Sequence, residues 1–207
     1  MTRLIKKTYN WFKRFRHRCG YGVHSPSDFF LITSVIYEKL PYYAYKKLAE
    51  HVTGGGDKYR IKIYNLLFRL INYFKPNSVI DIACDNGLSQ LYMSEASKNL
   101  ICYSFKSIKN ELDLNDVLQL FEKIKKIDCI HIGFTPYYKE IFDLALNYID
   151  EKSIIIVGTP YSSTEKKHWW EEVKNDSRVV ITFDLYDIGI ITFPEKRYKQ
   201  NYVVNFL

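Results

Sequence analysis

The chain has 207 residues, 47% of them apolar and 16% aromatic, with a formal net charge of +7. That length and apolar share can bury one substantial core without a second domain. No apolar run is long enough to span a bilayer, and no secretory signal follows the basic first residues, so the expected location is the cytoplasm. The charge is uneven: residues 1–27 hold Arg3, Lys6, Lys7, Lys13, Arg14, Arg16 and Arg18 with no acid, while the rest balances at 23 basic against 23 acidic residues. Any electrostatic partner is therefore met by the N-terminus and not by the body. The four cysteines show no CxxC spacing and are expected to be reduced, buried small hydrophobes.

In residues 2–16 the apolar Leu4, Ile5, Tyr9, Trp11, Phe12 and Phe15 recur at roughly helical spacing with basic residues between them. Two readings follow for this basic amphipathic helix. Its aromatic face packs on the domain and its charges are solvated, or residues 1–18 meet an anionic surface such as phospholipid or a nucleic-acid backbone. Gly20, Gly22 and Pro26 then make a loop carrying His24 and Ser25. Residues 27–50 read as helical with a break at Pro41, and Thr53-Gly54-Gly55-Gly56-Asp57 reads as a linker, because no strand precedes it and no Gly-Lys-Ser/Thr follows. The expected division is an arm over residues 1–56 and an α/β domain over 57–207.

From residue 59 the element types alternate. A helix over Tyr59–Phe74 precedes a buried strand over Ser78–Ile82, a turn, and a helix from Leu88. Further strands are predicted over Leu100–Phe105, Ile127–Ile132 and Ser153–Val157, with helices over Asp113–Lys125, Tyr137–Tyr148 and Thr164–Lys174 between or after them. Three strands separated only by turns or a short loop, Arg178–Leu185, Gly189–Phe193 and Tyr202–Phe206, close the chain. Such a run of βα units means a mostly parallel sheet with antiparallel C-terminal strands.

The stretch Asp81-Ile82-Ala83-Cys84-Asp85-Asn86-Gly87-Leu88-Ser89 has the form of a nucleotide- or nucleoside-holding strand, turn and helix. Together with Gly22-Val23-His24-Ser25-Pro26 and Asp184-Leu185-Tyr186-Asp187-Ile188-Gly189-Ile190-Ile191, it resembles a class I S-adenosylmethionine-dependent methyltransferase. More narrowly, the chain resembles a bacterial group of methyltransferase-like proteins that open on a Gly-Val-His-Ser-Pro-Phe motif and close on Asp-Leu-Phe-x-x-Gly-Ile-Val. The resemblance implies a three-layer, Rossmann-like fold and a methyl acceptor. It also implies S-adenosylmethionine held by the loop Asp81, Ala83, Asp85, Asn86, Gly87 and Ser89, with His24 and Ser25 closing over it.

The departures from that pattern bear on chemistry. The family's first glycine is Ala83 here, and the second strand ends in Ser104-Phe105-Lys106-Ser107 with no acid before Glu111 to accept the ribose hydroxyl protons. The interval before Ile127 holds one helix, so the family's third strand is expected to be missing. The later strand ends, Ile132-Gly133-Phe134-Thr135 and Val157-Gly158-Thr159-Pro160, supply no carboxylate for a hard cation, so no metal site is expected. His131 could serve as a general base, but its place within the strand between Ile130 and Ile132 favours a packed or satisfied side chain. Two functions remain open: a methyltransferase working by in-line positioning, or a degenerate, non-catalytic scaffold acting through its basic N-terminus.

Overall fold

The computed structural model describes residues 3–52, 58–83, 87–106 and 112–207, with the backbone alone for residues 3–7, 58–60, 83 and 106. The apolar runs form a seven-stranded sheet in the order β2-β1-β3-β4-β6-β5-β7. In it β1 (Ser78–Ala83), β2 (Ile101–Lys106), β3 (Cys129–Ile132) and β4 (Ile154–Gly158) are parallel. Strand alternation sends Val79, Cys129, Ile154 and Ile156 to one core, with α4 (Lys58–Phe74) and α5 (Leu88–Ser94). Ile80, Ile82, Ile130, Ile132, Ile155 and Val157 enter the other, with α6 (Leu114–Ile124), α7 (Tyr138–Ala145) and α8 (Thr164–Asn175). The strands therefore read as continuous apolar runs because both faces are covered.

Helix ends follow local chemistry. Asp113 Oδ1 accepts from the Asn115 amide at 2.8 Å to cap α6, and Ser163 Oγ accepts from the Lys166 amide at 3.0 Å to cap α8. Of the C-terminal strands β5 (Ile181–Asp184), β6 (Ile188–Thr192) and β7 (Gln200–Val203), only β6 runs against its neighbours. The β5–β6 hairpin turns back between β4 and β5, and β7 then starts at the end of the sheet where β6 finishes, which makes it parallel to β5. β2 is an edge strand, and only residues 107–113 separate it from α6, too few for a further strand and helix.

The N-terminal region shares this core. Ser25 caps the short α2 (Pro26–Phe30), and α3 spans Tyr45–Glu50. Leu31, Ile32, Val35 and Ile36 belong to the cluster that contains α4 and Val79. Buried Arg69 donates from Nε to the Val35 carbonyl at 2.6 Å and from Nη2 to the Ile36 carbonyl at 3.1 Å, satisfying that segment's last carbonyls.

The orientation of α1 (Arg3–Lys13) corrects the expectation that its aromatic face packs inward. Tyr9, Phe12 and Phe15 are 62%, 66% and 51% exposed, whereas Arg14 is buried. A polar stripe at helical spacing, Asn10, Lys13, Arg14 and His17, meets the domain instead. The pull is a buried carboxylate: Arg14 Nη2 donates to Asp184 Oδ1, and Nη1 to the Asp184 carbonyl, each at 2.9 Å. The expectation of buried cysteines also fails at Cys19, which is exposed because residues 19 and 20 take positive φ in a surface turn; Cys129 is buried, Cys102 is half-buried, and Cys84 lies outside the described residues.

Candidate functional site: the crevice at the strand reversal

Chain order reverses at β1, whose neighbours β2 and β3 lead away in opposite directions; open α/β sheets place their ligand crevice at such a point, at the carboxyl ends of the strands. Asp81 sits in β1 beside Ser104 of β2 and His131 of β3, and is 1% exposed. Its Oδ1 accepts from His131 Nδ1 at 2.7 Å, and its Oδ2 from Ser89 Oγ at 2.6 Å. A carboxylate this deep requires such donors, and both oxygens have one. Ser89 reaches it because Gly87, with φ +81°, makes the left-handed turn that starts α5. The serine hydroxyl bonds to the carboxylate and not to the imidazole, so the three groups form a latch between β1, β3 and α5 and not a nucleophile–base pair.

Of the loop residues assigned to the cofactor, the structure thus joins Asp81, Ser89 and Gly87. Ala83 ends β1, and Asp85 and Asn86 lie outside the described residues, as do residues 107–111 beyond β2. The β1–β3 ladder continues through the Gly133 amide to the Ile82 carbonyl at 2.8 Å, and Phe134, 69% exposed, stands at the rim. A Cβ on Gly158 would lie 3.2 Å from the Gly133 Cα, so two glycines let the ends of β3 and β4 approach. Among the described residues no group of three His, Cys, Asp or Glu side chains converges as a metal site would require.

His24 and Ser25 do not join this crevice. They line a separate cleft of about 230 Å³ with Lys196, Arg197 and Tyr202. This cleft lies at β7, five strand positions from β1, or roughly 24 Å at ~4.8 Å per strand. The loop is anchored there by Asp28, which accepts from Arg197 Nη2 at 2.6 Å and from the Tyr202 hydroxyl at 2.9 Å. The Gly-Val-His-Ser-Pro segment thus fastens the arm to the sheet edge.

The closing motif is also structural. Asp184 is 1% exposed and receives, besides Arg14, the Tyr161 hydroxyl, Trp170 Nε1 at 3.2 Å and the Tyr186 amide at 3.0 Å. Burial, followed by the Asp184 charge, raises the Tyr161 phenol, which keeps it a donor. Gly189 clears the same indole: a Cβ there would lie 2.5 Å from Trp170 Cη2. Lys166, 3% exposed, points its Nζ to the Gly158 carbonyl at 2.7 Å with the Tyr138 ring centroid 5.0 Å away, and burial pushes its ammonium down to about 8.

Solved structures share this fold. A putative O-methyltransferase from Klebsiella pneumoniae superposes with a TM-score of 0.54 at 12% identity, over 82% of this chain and 97% of its own. The fold is that of a class I methyltransferase. A putative caffeoyl-CoA O-methyltransferase from Staphylococcus aureus matches over 92% of this chain and 99% of its own, at TM-score 0.50 and 13% identity. The O-methyltransferase from Bacillus cereus, solved with SAH, matches over 77% and 96%, at the same score and identity. No protein-family model and no curated protein sequence matches the chain.

The sequence reading missed Arg14, Asp184 and Lys166 as organising residues. The stripe Asn10, Lys13, Arg14, His17 was the available signal for Arg14; Lys166 had none, since its burial depends on α7 and β4 meeting over it.

Proposed function

We propose that the chain is a methyltransferase that holds S-adenosylmethionine in the crevice at the carboxyl end of β1 and positions an acceptor for in-line transfer. The observation that carries the reading is the latch, in which Ser89 and His131 hold Asp81 beneath a left-handed Gly87 turn at the strand reversal. That arrangement fixes the strand end and the helix start between which a nucleoside cofactor would sit. The cofactor's sulfonium would supply the electrophilic methyl group. Asp85, Asn86, Gly87 and the Ala83 backbone are proposed to line the cofactor, with Asp81 acting by holding Ser89 at the start of α5.

A second reading has its own support. Both Asp81 oxygens are taken by protein donors, and Tyr9, Phe12 and Phe15 are exposed beside Arg16 and Arg18, as a scaffold meeting an anionic surface through residues 1–18 would present them.

Thermal unfolding with S-adenosylhomocysteine separates the two. A ligand at a hundredfold excess over its Kd stabilises the folded state by ~2.7 kcal/mol, so a raised midpoint with saturable heat in calorimetry is expected. No shift and no heat would overturn the transferase reading and leave the scaffold.

A further inference from the structure

A concavity separate from the crevice lies between α1, the β4–α8 loop and the β5–β6 turn. It encloses about 540 Å³, a volume suited to a small metabolite. Its lining includes Lys13, Arg14 and His17 from the N-terminal arm and Lys167 from α8, and no carboxylate. Arg14 is neutralised from below by Asp184. Glu165, next to the rim, is drawn away by Lys139 at 2.8 Å. The side chains of Lys13 and Lys167 have no carboxylate partner among the described residues, so two exposed ammonium groups face one hollow without compensation, with His17 beside them. The Ser162 and Thr164 hydroxyls share the lining, and α8 starts there, which adds the partial positive charge of its first amides.

Basic groups gathered in a concavity repel one another unless an anion joins them. Tyr161 and Tyr186 are stacked on each other, with centroids 4.9 Å apart and planes 10° apart, and Arg14 lies 5.3 Å from both centroids. These rings are committed to the floor, which leaves charge and hydroxyl contacts to recognise a ligand. Compact ammonium groups and hydroxyls on a rigid floor suit a tetrahedral, multiply charged oxyanion.

We propose that this cleft binds the phosphate group of a phosphate-bearing ligand, with Lys13 and Lys167 as opposing clamps and the Ser162 and Thr164 hydroxyls as donors. Because Lys13 belongs to the arm and Lys167 to the domain, ligand binding also fastens α1 to the sheet. The site is separate from the crevice at the end of β1: its lining comes from α1, the β4–α8 loop, the β5–β6 turn and β7, and shares no residue with Asp81, Gly87, Ser89 or His131.

The test is calorimetric titration of the full chain with inorganic phosphate and with pyrophosphate, in the absence of any adenosyl compound. Saturable binding that weakens as salt is raised is expected. The double variant Lys13→Ala/Lys167→Ala should lower affinity by about tenfold or more, which is ~1.4 kcal/mol for the pair. Lys46→Ala/Lys47→Ala, which removes the same charge from exposed α3, should leave affinity unchanged. Sedimentation with phosphatidylglycerol vesicles identifies the source. Capture that pyrophosphate competes away and the cleft pair abolishes assigns the phosphate to a lipid headgroup, and solution binding without vesicle capture assigns it to a soluble phosphate ester. Absence of saturable binding to both probes, or equal affinity in the cleft and control pairs, would overturn the proposal.

Discussion

Replacing Arg14 with methionine removes the guanidinium while keeping an apolar stem of similar reach. Asp184 then loses two contacts, one to its carboxylate and one to its carbonyl, both at 2.9 Å in a place where the carboxylate is 1% exposed. Breaking one side of a buried pair costs ~3–5 kcal/mol, because the remaining charge is stranded away from water. Here three donors stay on the carboxylate, Tyr161, Trp170 and the Tyr186 amide, and Lys174 Nζ stands 3.8 Å off. The expected loss is therefore at the lower end, about 3 kcal/mol. Urea unfolding read by tryptophan fluorescence measures it, and hydrogen exchange in α1 should rise well before global unfolding as the arm detaches. The exposed Arg16→Met provides the comparison, with an expected change within ~0.5 kcal/mol. If Arg14→Met cost no more than Arg16→Met, or if α1 exchanged at its original rate, the assignment of Asp184 as the dock for the arm would be wrong.

Lys166 makes stability depend on pH. The folded ammonium loses its proton at about 8 and the unfolded one at 10.5, so between those values the unfolded chain binds more protons and stability rises with pH. Buried charge at Lys166 thus burdens the fold by about 3 kcal/mol at neutral pH, at 1.36 kcal/mol per pH unit. Lys166→Met removes this dependence: its stability relative to the parent should fall by about that amount between pH 8 and 10.5, and parallel pH curves would refute the burial argument. Gly189→Ala would place a Cβ 2.5 Å from the Trp170 ring, and overpacking of this kind costs ~1–3 kcal/mol. Its denaturation midpoint should drop while Gly22→Ala, which meets no atom within 4 Å, loses stability only through its positive φ.

The alternation of helices and strands was readable because it depends on local periodicity: each βα unit states its own apolar face, its cap and its turn. Asp113 and Ser163 cap helices from positions that the sequence marks by residue type alone. The strand over residues 78–83 and the helix after Gly87 were legible for the same reason. The candidate site was legible only as a loop. Neither the pairing of Asp81 with His131 nor that of Arg14 with Asp184 has a local signature, since the partners lie 50 and 170 residues apart.

Taken alone, the sequence determined the class of fold, the missing strand beyond β2 and the confinement of excess positive charge to the first residues, since composition and period need no partner to be read. The tertiary structure decided which way α1 faces, where the His24 loop is fastened and which cations share a cleft. It did so because a buried carboxylate recruits its donors through space. Asp184 drew in the polar stripe of an amphipathic helix whose aromatic side the sequence pointed toward the core, turning that side to solvent.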